Sequence, residues 1–130
     1  MYSSENITEI LDLRFEEPKS YEYTGSRPSD ELIVKALDYV RRIKKNPAPK
    51  IYAGIEGIDT VIVFQWDFAN SGTVCLTLHE DEYTLFAIKN DGQQVEFKSD
   101  KEDYLHEEEL LEELDFNIEA FILFVKYTDN

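Results

Sequence analysis

Three apolar runs in the middle of the chain constrain its fold more than any other feature. The runs cover residues 58–66, 73–79 and 82–89. They are rich in β-branched and aromatic residues, which fit the pleated, half-buried surface of a sheet. In the second run Val74, Leu76 and Leu78 alternate with small or polar residues, so one side of this strand is predicted to face a core. Turn residues or charges separate the runs, which is typical of an antiparallel meander.

Two further strands complete the predicted sheet. A short run at residues 50–55 precedes the three, and residues 93–98 follow them. The Asp91-Gly92 pair before the last strand is a strong hairpin turn, because these residues tolerate positive φ. We therefore predict about five antiparallel strands between residues 50 and 98. Trp66, at a strand end, is expected to belong to the core rather than to stack on a ligand.

The clearest helical pattern precedes the sheet, at residues 29–45. Ser29 is placed to cap the first turn. Apolar side chains follow at helical spacing: Ile33, Ala36, Leu37, Val40 and Ile43. Basic residues fill the last turn, where they complement the helix dipole and could also offset acidic neighbours: Arg41, Arg42, Lys44 and Lys45. The Pro47-Ala48-Pro49 segment then ends the helix.

The C-terminal region also predicts helix, with an interruption. Residues 106–114 carry leucines on one side, and residues 118–125 repeat apolar side chains at i, i+3, i+4 and i+7. Between them, Asn117 is a good helix cap, so a break is expected at residues 115–117. The run 121–125 also fits a strand, but the preceding cap favours helix.

These elements predict a single α+β domain over residues 1–130. The helix at residues 29–45 and the C-terminal helix are expected to pack on one face of the sheet, because its apolar side must be covered. Residues 1–27, with a short helix at residues 5–15, belong to this domain or form a peripheral N-terminal arm.

Several features follow one another in a recognisable order between residues 28 and 125. They are a helix opened by Pro28-Ser29-Asp30, the segment Pro47-Ala48-Pro49, strands containing Phe64-Gln65-Trp66, Cys75-Leu76-Thr77-Leu78 and Tyr83, and a closing helix at residues 115–125. This order resembles that of a loose group of small uncharacterised bacterial proteins. The resemblance implies no activity and no site, so nothing functional is carried over from it.

The residues that could perform chemistry lack the spacing that chemistry needs. The sequence contains no G-x-S-x-G, Walker A or G-x-G-x-x-G motif. Cys75, the only cysteine, lies mid-strand, which is typical of a packed side chain rather than a nucleophile. His79 and His106 stand beside carboxylates, but in no zinc or EF-hand spacing. We therefore predict no enzyme activity, no cofactor, no metal site and no catalytic role for these three residues.

The net charge of the chain restricts the classes of partner that it can bind. There are 13 Lys+Arg against 28 Asp+Glu, a formal net charge of -15. Direct binding to nucleic acid or to an anionic membrane is disfavoured, because phosphate repels such a surface. A single cysteine, no apolar run of ~20 residues and no secretory signal at the N-terminus predict a cytoplasmic protein.

The acids are densest between residues 100 and 119, where ten stand against Lys101 alone. Like charges at i, i+3 or i, i+4 destabilise a helix by about 0.2–0.5 kcal/mol per pair. A protein that needed only solubility could avoid this cost by scattering its acids. We therefore predict a site for a basic protein partner at Glu102, Asp103, Glu107, Glu108, Glu109, Glu112, Glu113 and Asp115.

The leading hypothesis is a small acidic module that docks a basic partner surface. An inhibitor or a nucleic-acid mimic, of the anti-defence or antitoxin kind, works by this physics. One alternative is an accessory or structural protein whose acidity serves solubility only. A second is a small enzyme whose site is built from loops that the sequence does not reveal.

Overall fold

The fold is an antiparallel sheet covered on one face by helices. The structure, a computed structural model, describes residues 4–19, 25–42, 47–99 and 107–127. Within these ranges five strands pair in sequence order: β1 (Lys50–Glu56), β2 (Asp59–Phe68), β3 (Gly72–Leu78), β4 (Tyr83–Lys89) and β5 (Gln94–Lys98). Three α-helices accompany them: α1 (Ser4–Asp12), α2 (Asp30–Arg42) and α3 (Glu107–Lys126). The predicted α+β class, single domain and five-stranded antiparallel sheet are confirmed.

The register of the sheet places the predicted core side chains on one face. Leu76 pairs with Phe64 on one side and with Leu85 on the other, and all three are fully buried. Trp66 lies on the same face, and its indole Nε1–H donates to the Pro47 carbonyl oxygen at 2.7 Å. Trp66 is therefore a core residue that also fixes the segment leading into β1.

The three helices lie side by side across this face. α1 packs on β1 and α2, α2 on β2 and β3, and α3 on β3 and β4. The predicted cap of α2 is confirmed, since the Ser29 hydroxyl accepts from the Leu32 N–H at 3.2 Å. Ile10 of α1 and Leu13, in a following 3-10 turn, are buried. The N-terminal segment therefore adds to the core of the domain.

α3 differs from its prediction because it runs without a break through residues 115–117. Asn117 was expected to cap a second helix, but it lies in the middle of a single one. Its side-chain Nδ2–H donates to the hydroxyl oxygen of Tyr83 at 3.1 Å. The amide thus serves packing against the sheet, and a tertiary contact overrides the local preference of Asn for helix ends.

Candidate partner-binding surface

The first part of the predicted site has a structural explanation of its own. Glu102 and Asp103 lie outside the described residues. Glu107, Glu108 and Glu109 form the first turn of α3. Acids in the first turn of a helix interact favourably with the positive end of its dipole, by about 0.3–1 kcal/mol. An acidic sequence at these positions therefore favours the start of a helix, whether or not a partner binds.

The acids further along α3 lack that explanation. Glu112 and Glu113 are exposed and lie beyond the first turn, where the effect of the dipole has faded. Glu119 is also exposed. It was missed in the predicted set, although it repeats Glu112 at i+7 and so lies on the same side of the helix. We call Glu112, Glu113 and Glu119 the acidic face of α3.

Asp115 belongs to the flank of the helix rather than to this face. It is half-buried, and its negative charge acts on the hydroxyl of Tyr39 in α2. Burial raises the pKa of Tyr39 well above its usual value, and the negative charge of Asp115 adds to the rise. Asp115 is therefore less accessible than Glu112, Glu113 and Glu119, and its place in a partner site stays a prediction.

The basic residues at the end of α2 were expected to offset acidic neighbours within the same chain, which would leave the acidic helix without need of a partner protein. Arg41 forms an ion pair with Asp38 of its own helix, at 3.9 Å. Lys126, in the last turn of α3, lies over the ring of Phe68, at 5.4 Å from its centroid. Lys44 and Lys45 lie outside the described residues. The described contacts of Arg41 and Lys126 are thus with groups other than the acidic face.

A second group of acids lines a cleft of about 660 Å³ at one end of the sheet. Its carboxylates come from the start of α2, the start of β2 and the β3–β4 turn: Glu31, Asp59, Glu80, Asp81 and Glu82. Arg27 and His79 line the cleft as well. The cleft was not predicted. The run of titratable residues from His79 to Glu82 was the feature of the sequence that could have indicated it.

Some charges of this cleft are offset within the chain. Lys35 lies 3.7 Å from Glu31, and Lys98 lies 3.5 Å from Glu82. The buried Nε2 of His79 lies 3.3 Å from Oε2 of Glu56 and has no hydrogen-bond partner in the part of the chain that the structure describes. Among the described residues, no cluster of His, Cys, Asp and Glu side chains is arranged to hold a metal ion.

Cys75 lies on the face of the sheet opposite the helices, half-buried beside a polar network. The Gln65 amide donates to Asp67 at 2.9 Å, and the Thr73 hydroxyl donates to the same carboxylate oxygen at 3.0 Å. Burial raises the pKa of the Cys75 thiol, and the charge of Asp67 raises it further. The reactive thiolate is therefore disfavoured, which agrees with the interpretation of Cys75 as a packed side chain.

Comparison with known proteins adds no further candidate for the site. Within the described ranges, no helix combines the length and the apolar character that crossing a membrane requires. No protein-family model, no curated protein and no solved structure matches this chain. The resemblance to small bacterial proteins stays a prediction, and the function must be argued from the surface itself.

Proposed function

We propose that this protein is a cytoplasmic acidic binding module that docks a basic surface of another protein through the acidic face of α3. One observation carries the proposal. Glu112, Glu113 and Glu119 are exposed on a helix whose sequence holds seven acids and a single lysine. Such a surface attracts cationic grooves and repels phosphate.

The position of these acids suits recognition. α3 is anchored to the sheet by the buried side chains Leu114, Ile118, Ile122 and Val125. The acidic face is therefore carried on a rigid element, and few side chains need to be ordered when a partner binds. The net charge of -15 adds a long-range field that speeds encounter with a basic partner.

A basic protein groove that normally holds nucleic acid is the partner surface that fits this charge best. Such a groove presents arginine and lysine side chains to a line of phosphates. A helix with carboxylates along one side offers those side chains comparable negative charge. Inhibitors of the anti-defence or antitoxin kind would use this complementarity, and the protein would then act on a nucleic-acid enzyme without binding nucleic acid itself.

The proposal is tested by affinity capture from the native host with three versions of the full chain as bait. The first is the wild type. The second is Glu112→Gln, Glu113→Gln and Glu119→Gln, which keeps the first-turn glutamates and their support of the helix. The matched control is Glu9→Gln, Glu16→Gln and Glu17→Gln, which removes three equally exposed acids from the N-terminal region. Both variants change the net charge by the same amount.

We expect the wild type and the control to retain the same basic protein and the α3 variant to lose it. Equal retention by all three baits would contradict docking through α3. Equal loss from both variants would show that total charge alone governs retention, and it would likewise contradict docking through α3. Quantitative mass spectrometry of the captured proteins distinguishes these results.

A further inference from the structure

α3 carries an apolar stripe on the side that faces away from the sheet. Phe116 is 70% exposed, Leu123 is 48% exposed and Tyr127 is 71% exposed. Ala120, between them, is exposed as well. These residues follow one another at i, i+4, i+7 and i+11, so they fall within about 60° of the helix circumference and extend over about 16 Å. The Tyr127 N–H still donates to the Leu123 carbonyl oxygen at 2.9 Å, so the helical path continues to the end of the stripe.

The apolar stripe is distinct from the side of α3 that packs on the sheet. The buried residues of α3 lie on the opposite side of the helix: Leu114, Ile118, Ile122 and Val125. A surface helix of a globular protein normally has one apolar side and one polar side. α3 has two apolar sides, and only one of them serves the fold. Clustered apolar exposure of this kind marks interaction sites.

Acidic residues flank the apolar stripe on both sides. On a helical projection Glu113 lies about 60° to one side of Phe116, while Glu112 and Glu119 lie about 40–60° to the other. All three are exposed. The acidic face and the apolar stripe are therefore one composite surface, in which carboxylates border a strip of apolar side chains.

We propose that this composite surface binds a basic amphipathic helix that lines the groove of the partner protein, an inference that rests on the docking function proposed above. The apolar side of the partner helix packs along Phe116, Ala120, Leu123 and Tyr127. The spacing of these residues along α3 matches the spacing of apolar side chains on one side of a partner helix. Its flanking lysines and arginines pair with Glu112, Glu113 and Glu119. Aromatic side chains such as Phe116 and Tyr127 are well suited to anchor such a contact.

Charge argues for this occupant over two others. A second copy of the chain would bring acids against acids, and each copy carries a net charge of -15. A membrane surface is recognised by amphipathic helices whose polar side is rich in lysine and arginine, whereas the borders of this stripe are acidic. A basic helix alone satisfies both the apolar strip and its borders.

The inference is tested with a fluorescein-labelled peptide of about 18 residues, built from Leu and Lys so that the leucines form one side of a helix. A peptide of the same composition in an order without a helical apolar side is the first control. The stripe variant is Phe116→Ser, Leu123→Ser and Tyr127→Ser. The matched variant is Phe15→Ser, Val34→Ser and Ile58→Ser, which removes three apolar side chains that are 53–78% exposed elsewhere. Leu123→Glu alone replaces the stripe variant if circular dichroism shows that the latter is unfolded.

We expect the amphipathic peptide to bind the wild type and the matched variant alike in fluorescence anisotropy, and the stripe variant to bind it at least about ten-fold more weakly. The reordered peptide should bind weakly to all three. Equal binding of the two peptides, or no effect of the stripe variant, would overturn the helix proposal.

The Gln variant of the acidic face separates the two proposals. If it weakens binding of both peptides while the stripe variant does not, acidic docking stands and the helical partner falls. If neither variant weakens binding, both proposals fail. A dimer in light scattering, or retention on phosphatidylcholine vesicles, that the stripe variant abolishes would instead assign the stripe to a second copy or to a membrane, and would overturn the basic helix.

Discussion

Leu76 lies at the centre of the sheet face that the helices cover, where a buried charge would be energetically costly. It is fully buried between Phe64 and Leu85. We expect Leu76→Asp to unfold the domain, because an unpaired buried carboxylate costs several kcal/mol, which is comparable to the stability of a whole domain. The control is Thr77→Asp, one residue along on the opposite face and half-buried. Thermal denaturation followed by circular dichroism checks both, and a Leu76→Asp variant that melts like the wild type would contradict the register.

Tyr39 presents the opposite case, because it carries a buried polar group that we expect to lower stability. The ring is fully buried edge-to-face against Phe64, and its hydroxyl has no hydrogen-bond partner among the described residues. We expect Tyr39→Phe to keep the free energy of unfolding at neutral pH or to raise it by about 1 kcal/mol, because a buried hydroxyl without a partner is removed. Chemical denaturation at pH 7 measures this difference, and a loss of more than about 1 kcal/mol would show that the hydroxyl has a partner.

The raised pKa of Tyr39 gives the same residue a signature at alkaline pH. Burial, with the charge of Asp115, keeps the folded phenol protonated above its usual range. The unfolded chain releases this proton first, from about pH 10, so the free energy of unfolding falls as the pH rises further, by up to about 1.4 kcal/mol per pH unit. Tyr39→Phe should flatten this fall, whereas Tyr127→Phe, at an exposed site, should not. Identical alkaline slopes for Tyr39→Phe and the wild type would contradict the assignment.

Sequence alone could predict Leu76 but not Tyr39. The alternation around Leu76 is local, and an apolar residue at every second position identifies one side of a strand. The environment of Tyr39 depends on Phe64 and on Asp115, which are distant in sequence. No periodicity within α2 indicates that its hydroxyl lacks a hydrogen bond or that a carboxylate lies near it.

At the scale of elements, a polar contact within a largely apolar interface helps to hold α3 against β4. The Asn117 amide donates to the Tyr83 hydroxyl, and Tyr83 is fully buried. We expect Asn117→Ala to lower the free energy of unfolding by about 1–2 kcal/mol, and Tyr83→Phe in the same chain to recover part of that loss. A double-mutant cycle in chemical denaturation measures the coupling. Strict additivity of the two changes would contradict a direct contact.

We expect the acidic face, for which a binding role is proposed, to lower the stability of the fold. Replacing Glu112, Glu113 and Glu119 by Gln removes several like-charge neighbours at i, i+3 and i, i+4 within α3. Each such pair costs about 0.2–0.5 kcal/mol, so we expect the variant to be more stable than the wild type by roughly 1 kcal/mol. The control with Gln at positions 9, 16 and 17 should change little. Chemical denaturation in low salt checks this, and a destabilised α3 variant would show that these carboxylates have structural partners.

The continuity of α3 marks a limit of prediction at this scale. Residues 115–117 contain Asp and Asn, which favour helix ends, so a local reading predicts a break. The structure spans them because the apolar residues on both sides pack on the same sheet and because Asn117 bonds to Tyr83. The acidic cluster was visible in the sequence. The apolar stripe between the acids was not visible in the sequence, because its residues alternate with core residues in the same run. Only the packing of α3 shows which side each residue faces.

At the scale of the whole molecule, negative charge is concentrated at the C-terminal end of a domain with one apolar core. Residues 80–130 hold 16 acids and 4 bases, a net of 4 − 16 = −12, out of the total of -15. In the proposed function, the field of such a molecule attracts a basic partner from a distance, while the composite surface of α3 gives the contact its register. The fold and the proposed function thus use opposite sides of the same helix.

The salt dependence of binding to the captured partner tests this account most directly. The dissociation constant is measured for the wild type, the α3 variant with Gln at 112, 113 and 119, and the control variant with Gln at 9, 16 and 17, over a series of salt concentrations. We predict weaker binding and a flatter salt dependence for the α3 variant, and a control line that runs close to that of the wild type, because salt screens the exposed ion pairs that only the α3 variant lacks. Three coincident lines would contradict docking through the acidic face of α3.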